Sequence, residues 1–414
     1  MENSQFEFNT VSIIGIGMMG GSLALSLKKY NVCKKIIAFD TNPENLNIAE
    51  DLNIIDESFN DLVGLIKASD LIIICSPIMT YKGIFEVIRE NLKEDTIITD
   101  IGSVKLPAVR SAITTLNNDQ MDRFIAAHPI AGTEKSGPEN SKDDLFENKS
   151  VIITPSSKSQ DHKLIQKIQS LWKKIGSHVE YIEPQKHDFI YASVSHNIQL
   201  FCSCFCTLLK ENFEDIKDDI DGIFLRFIRL SGSNPTMWKD IFLYNNKFID
   251  LSIDIFVRNL SILEETIQND ESDSLEKLLA LSAEKRKHFH AISNPINAFS
   301  NDADHYNSLQ GKSKIWIDLL PRIIACVTME CISENEYSYA TGAGINDFSR
   351  NMLLSNATDH KDILLNKTNI LKAIEQYKEL LNKTRLALNN QDKEYLEGII
   401  LTGNEVYKAV NNQE

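Results

Sequence analysis

The chain has 414 residues, enough for two or three domains, and 43% of them are hydrophobic, which supports sizeable cores and excludes global disorder. Its formal net charge of −15 disfavours a broad nucleic-acid footprint but leaves room for a small anionic ligand held by a few local cations. The polar, acidic start MENSQFEFNT does not read as a signal peptide, no uninterrupted apolar run reads as long enough to span a bilayer, and the expected setting is a reducing cytoplasm.

The first element is the stretch Val11 to Lys29. An apolar strand pattern, Val11 to Ile14, runs into Gly15, Gly17 and Gly20 and then into a helical pattern. This is the G-x-G-x-x-G spacing of a loop that holds a pyrophosphate at a helix N-terminus, where free N–H groups and the helix dipole favour negative charge. Gly15 serves the tight turn, Gly17 the approach of phosphate, and Gly20 the packing of helix on strand. Ile16, Met18 and Met19 complete the loop. A second apolar strand, Lys35 to Phe39, ends in Asp40, 20 residues after Gly20. That is the place of the carboxylate that takes ribose hydroxyls, and no Arg follows it in Thr41-Asn42-Pro43, so NAD is expected rather than NADP.

Further strands are expected at Leu71–Cys75, Thr96–Thr99, Arg123–Ala127, Val151–Thr154 and His178–Ile182, alternating with helical segments. The alternation predicts a largely parallel sheet with helices on both faces. Ligands in such sheets bind at the carboxyl ends of strands, which points to Ser76-Pro77, to Asp100 through Ser103, and to His128-Pro129. His128 is expected to end a strand on the same edge as the glycine loop. A neutral imidazole there suits acceptance of a hydroxyl proton during hydride transfer. Ser103 is read either as a partner of that hydroxyl or imidazole or as the N-cap of the helix beginning at Leu106.

From Lys186 to Val410 the periodicity is helical throughout. Cys202, Cys204 and Cys206 sit in an apolar helical stretch and read as buried thiols, since one helix cannot aim all three at one metal. His187 and His196 fall on opposite faces of the first helix, at nine residues and about 100° each. His196, in the more apolar setting, is the better site candidate; His187 reads as a structural first-turn residue. An internal repeat relates IRLSGSNPTMWKDI at 228–241 to SRNMLLSNATDHKDI at 349–363 and brings Arg229 and Arg350 into correspondence. Each of these arginines calls for an anionic partner, either an internal carboxylate or that of a ligand. The chain therefore reads as an α/β Rossmann-type dinucleotide-binding domain (1–183) followed by an all-α domain in two copies (184–300 and 301–414).

Together, GIGMMGGSLA at 15–24, DIGSVK at 100–105, HPIAGTEKSGPENS at 128–141, HD at 187–188, VSH at 194–196 and SNPTMWKDIF at 233–242 resemble the prephenate and arogenate dehydrogenases of tyrosine biosynthesis. The resemblance implies NAD-dependent oxidative decarboxylation of prephenate to 4-hydroxyphenylpyruvate, with arogenate dehydrogenase or a dual-specificity cyclohexadienyl dehydrogenase as alternatives. It assigns the hydrogen bond to the ring hydroxyl to His128, assisted by Ser103. It gives the substrate carboxylate to Arg229 or Arg350, the substrate pocket to His196, and a gating ion pair to Glu134. The family often reads Ser-His-Leu-Pro-His where this chain reads Ser195-His196-Asn197-Ile198-Gln199. Gln199 thus replaces the histidine associated with the prephenate side chain, which leaves the choice between prephenate and arogenate open.

The second copy fits the family's Gly-x-Gly-x-x-Asp-Phe-Thr-Arg run at Gly342 to Arg350 better than the first, which has Arg226 in the place of the Asp; the second in turn has Asp318-Leu319 where Ser-His belongs. The expected partners are a small-molecule substrate, no nucleic acid and no membrane. Family members are usually dimers through the helical domain, so the chain is expected to form either a homodimer or a pseudo-dimer within one chain. The competing readings are a dehydrogenase of the β-hydroxyacid or imine-reductase type and a catalytically inactive NAD-binding module.

Overall fold

The computed structural model describes residues 7–133, 135–156, 161–293, 308–332, 343–349 and 359–411. They belong to two compact units, Met1–Asp188 and Phe189–Glu414, so both helical stretches fall within one unit.

The first unit is built on six parallel strands: β1 (Phe8–Ile14), β2 (Cys33–Phe39), β3 (Glu57–Ser58), β4 (Leu71–Ile74), β5 (Ile97–Asp100) and β6 (Phe124–Ile125). Their order in the sheet is β3-β2-β1-β4-β5-β6. β1 and β4 are nearly continuous apolar runs, Val11 to Ile14 and Leu71 to Ile74, and every one of these residues is buried. Parallel strands covered on both faces require that composition. The covering helices are α1 (Met18–Lys29), α2 (Pro43–Asp51), α3 (Leu62–Ala68), α4 (Tyr81–Asn91), α5 (Leu106–Thr115), α6 (Asn118–Asp122) and α7 (His162–Lys174).

The strand expected at Arg123–Ala127 divides in two. β6 closes the main sheet, and β7 (Ala127–Pro129) starts a second sheet with β8 (Ser150–Ile153), antiparallel to it, and β9 (His178–Tyr181). The break is at Ala126, whose carbonyl accepts the N–H of Thr154 at 2.8 Å instead of a bond from β5. His128 therefore lies in the middle of β7, opposite Ile152, and not at the end of a main-sheet strand. The last helix of this unit, α8 (Pro184–Tyr191), carries His187 and Asp188.

No strand occurs among the described residues of the second unit. A π turn, Ala192–His196, leads into α9 (Asn197–Lys210), followed by α10 (Phe213–Ile216), α11 (Gly222–Ile228), α12 (Pro235–Tyr244), α13 (Asn246–Gln268) and α14 (Ser272–Ser293). A second π turn, Lys314–Leu319, leads into α15 (Leu320–Cys331), then α16 (Ala343–Phe348), α17 (Asp359–Leu365), α18 (Lys367–Asn389) and α19 (Lys393–Asn411). Residues 350–358 of the repeated sequence motif lie outside the described residues.

One described helix, Pro184–Lys210, is long and apolar enough to cross a bilayer by length and mean composition; 83% of its apolar window is buried in the protein. It carries Cys202, Cys204 and Cys206, all buried, with their thiols pushed well up by that burial. Among the described residues no cluster of His, Cys, Asp or Glu is arranged to hold a metal.

Candidate active site

The glycine loop follows β1 as its spacing demands. Gly15 takes φ +98°, and a Cβ there would lie 2.9 Å from the backbone nitrogen of Ser76, at the end of β4. A Cβ on Gly20 would collide with the carbonyl oxygen of Gly15, whereas one on Gly17 meets nothing within 4 Å. The first and third glycines are thus required by packing, and the second leaves a cradle open. α1 begins at Met18 with no side-chain cap and no acid in its first turn. Its leading N–H groups, next to Met18 and Met19, suit a pyrophosphate.

Asp40 follows the end of β2, beside the loop. Its Oδ2 accepts the N–H of Ile16 and its Oδ1 that of Asn42, both at 2.8 Å. The carboxylate therefore braces the loop from the end of β2. Ser76 bonds Thr80 at 2.8 Å, and Pro77 opens the short 3-10 turn Ile78–Thr80.

Beneath the ends of β5 and β7 is a buried polar cluster that composition did not announce. The Asp100 carboxylate receives the Tyr81 hydroxyl at 2.9 Å, the Lys105 ammonium at 2.5 Å and the N–H groups of Gly102 and Ala127. Lys105 also donates to the Ala127 carbonyl at 2.6 Å. Asp100 thereby ties β5, its following loop and the start of β7 together. Burial lowers the Lys105 ammonium from its usual range against the pull of Asp100, and burial raises Tyr81 well above its own.

His128 meets His187, a residue the sequence reading set aside as structural. His128 Nδ1 lies 2.8 Å from His187 Nε2, and His187 Nδ1 lies 2.7 Å from Asp188 Oδ1. Asp188 also accepts the backbone N–H groups of Lys105 (2.7 Å) and Leu106 (2.9 Å), capping α5 from 83 and 82 residues away. With both oxygens facing donors, Asp188 acts as an acceptor and the Nδ1 of His187 carries its proton. Burial, reinforced by the Lys105 ammonium, holds His187 well below the usual histidine range, so it is neutral and its Nε2 accepts. The network thus assigns the second proton to His128 Nδ1 and leaves the Nε2 lone pair of His128 as its basic site. Ser103 is half-buried in the β5–α5 loop and makes no hydrogen bond to His128. Nor does it cap α5; Asp188 takes that role.

In the second unit, His196 is buried with its Nδ1 2.8 Å from Asn245 Nδ2 and its ring edge-on to Trp238. The Asn245 amide donates, which places the His196 proton on Nε2. Gln199 is fully buried, and neither its amide oxygen nor its nitrogen has a hydrogen-bond partner. A buried amide left in that condition costs free energy that a polar ligand would offset. Arg229 donates from Nε to Asp347 Oδ2 at 2.7 Å, so an internal carboxylate engages it. Glu134 and Arg350 lie outside the described residues.

Two sequence models of one family match the chain: "Prephenate dehydrogenase, nucleotide-binding domain" over residues 23–181 and "Prephenate dehydrogenase, dimerization domain" over residues 183–281. The prephenate dehydrogenase of Bacillus subtilis is 29% identical over 271 residues, covering 64% of this chain and 72% of its own length. The cyclohexadienyl dehydrogenase of Zymomonas mobilis is 29% identical over 273 residues, covering 65% and 92%. Among solved structures, prephenate dehydrogenase from A. aeolicus, in complex with hydroxyphenyl propionate and NAD+, is 34% identical with a TM-score of 0.61. It aligns over its whole length with 70% of this chain.

Proposed function

Since the chain belongs to the prephenate dehydrogenase family, we propose that it catalyses the NAD-linked oxidative decarboxylation of prephenate to 4-hydroxyphenylpyruvate. The observation that carries this reading is the Asp188–His187–His128 chain, buried at Asp188 and His187 and half-buried at His128, which presents one basic nitrogen of fixed tautomer.

Bound NAD supplies the hydride acceptor. The residues of this chain hold it and manage one proton. The open cradle at Gly17 and the N-terminus of α1 take the pyrophosphate, and Asp40 takes ribose hydroxyls while bracing Ile16. Ser76 and Pro77, beside Gly15, border the same loop. His128 Nε2 accepts the hydrogen bond of the ring hydroxyl, so the proton has a destination as the hydride departs and the carbon–oxygen bond gains carbonyl character. Loss of the ring carboxylate as CO2 makes the ring aromatic, and His128 returns the proton to the phenol oxygen. Aromatisation supplies the driving force, so positioning is the main demand on the protein. Ser103 assists at the hydroxyl. By the family resemblance, Arg229 or Arg350 holds a substrate carboxylate, His196 and Gln199 line the substrate's surroundings, and Glu134 gates entry.

Arogenate is the second reading, and Gln199 admits it. A neutral amide with its donor and acceptor both unused suits an amino-acid side chain as well as a pyruvyl one. A reducing cytoplasm is the proposed setting, supported by all seven cysteines being free thiols. The test is direct: NADH formation by purified protein with saturating NAD and prephenate, then with arogenate. The larger kcat/KM names the substrate; no turnover with either refutes the reading and leaves an NAD-binding module.

A further inference from the structure

The family match ends at residue 281, and about 30% of the chain has no counterpart in the A. aeolicus enzyme, which aligns with 70% of it. Several described elements of the helical stretch after residue 308 match, in order, those before residue 293. Both stretches open with a π turn, at Ala192–His196 and Lys314–Leu319. α13 and α18 each have 23 residues and each follow an Asn, Asn245 or Asn366, of nearly the same backbone conformation. After each helix one residue turns left-handed, Asp270 at φ 56° and Gln391 at φ 55°, and a last long helix begins.

The two stretches are also interlocked. α9 of the first packs on α19 of the second, and α15 of the second packs on α14 of the first. α13 meets α15 as α18 meets α9, and α12 meets α19 as α17 meets α14. α13 lies on α18, and α11 on α16. Each of these contacts has its counterpart when the two stretches are exchanged, as in a two-fold dimer.

The charges are not symmetric, and they say which pairing is wanted. Arg226 and Asp347 are equivalent positions, 121 residues apart, and they face each other at 3.9 Å, with Asp347 also held by Arg229. Two first copies paired in this way would set Arg226 against Arg226, and two second copies Asp347 against Asp347. Across α13 and α18, Arg385 pairs with Asp250 (2.6 Å) and Asp254 (2.9 Å), and Lys378 with Glu264 (2.5 Å). Glu264 is the first-copy equivalent of Arg385, again at 121 residues, so pairing two first copies would press it against Asp250 and Asp254. Like charges so placed disfavour the self-pairings.

The second copy has also given up the site of the first. Asp318, aligned with the Ser195-His196 region, is buried between Lys314 (2.7 Å) and Arg322 (2.5 Å), and Lys314 reaches Asp362 at 3.0 Å. An ion cluster stands where the first copy has its Ser195-His196 region.

We propose that residues 308–411 serve as a built-in partner subunit. They cover, within one chain, the surface the family uses for dimerization, and a charge code selects first copy with second. The chain then works as a monomer with one nucleotide-binding unit and one active site, and Asp347 of the second copy positions Arg229 of the first. The proposal rests on the family assignment to name the covered surface and, for Asp347, on the proposed hold of Arg229 on the substrate carboxylate.

The test is the mass of the full chain by sedimentation equilibrium across about 1–100 μM. The proposal requires 46.9 kDa throughout, and a stable species of twice that mass overturns it whether or not the protein turns over prephenate. Charge reversal checks the pairing in solution. Glu264→Lys and Lys378→Glu should each lower Tm by about 2–4 °C, and the double swap should restore it; no recovery in the double variant counts against the charge code. For Asp347, the readout is the kinetic split. Asp347→Asn should raise substrate KM about tenfold with kcat nearly unchanged and Asp347→Glu should recover most of the loss, whereas equal loss in both variants overturns the positioning role.

Discussion

Asp188 determines what His128 is able to do, although the two are 60 residues apart in sequence and joined through His187. Removing the base and scrambling its tautomer should look alike kinetically. His128→Asn deletes the acceptor. Asp188→Asn offers His187 an amide in place of a carboxylate, which releases the constraint on its proton. Both variants are expected to lose about 10²–10⁴ in kcat with little change in substrate KM. They differ in stability, because Asp188 also caps α5; its Asn variant should cost about 1 kcal/mol in denaturant titrations. His128 was singled out in the sequence by a strand-end rule, but it lies in the middle of β7 in the second sheet. The role of His187 was not legible: it depends on β7 being brought beside α8, a pairing across 59 residues that no local pattern encodes. Ser103 was read either as a partner of the hydroxyl or imidazole or as the cap, and a distant carboxylate, Asp188, took the cap.

At the scale of elements, β1, the loop and α1 were legible because each glycine answers a separate geometric need. Their differences make a paired prediction. Gly17→Ala adds a methyl that touches no protein atom, so the variant should fold with an unchanged Tm and lose about tenfold or more in NAD affinity by isothermal titration. Gly20→Ala drives a methyl into the Gly15 carbonyl and should lower Tm as well as NAD affinity. The division between β6 and β7 was illegible for the opposite reason. Phe124, Ile125, Ala126 and Ala127 are all buried, so hydrophobicity runs unbroken across the boundary between two sheets. Only the hydrogen-bond partners change there, and partners are non-local. The π turn at Ala192–His196 likewise upsets a face assignment counted at 100° per residue.

For the whole molecule, the α/β half followed by a helical half was written in the change of periodicity near Glu183-Pro184, and the structure has that order. The strand order β3-β2-β1-β4-β5-β6 was less accessible, because crossovers do not show in periodicity. Global stability should carry the mark of the buried imidazole. Unfolded, His187 titrates near the ordinary histidine value of about 6.5; folded, it resists protonation far below that. The unfolded chain therefore binds the extra proton first. The associated stability is complete above pH 6.5 and drains as pH falls below it, with a slope of at most about 1.4 kcal/mol per pH unit. Wild type should show a falling Tm from pH 7 to pH 5, and His187→Gln should flatten that slope.

The mirrored packing of α9 on α19 and α15 on α14 has a further consequence for how such a protein behaves and diverges. Tethering replaces a bimolecular encounter with an intramolecular one, whose effective concentration does not fall on dilution. Specific activity should hold constant from micromolar to low nanomolar enzyme, where a dissociating dimer would fade, and saturation curves should have a Hill coefficient of one. Inheritance changes in the same way. In a homodimer every substitution is made twice, once on each side of the axis; in the proposed pseudo-dimer each is made once, which would let an arginine on one side meet an aspartate on the other.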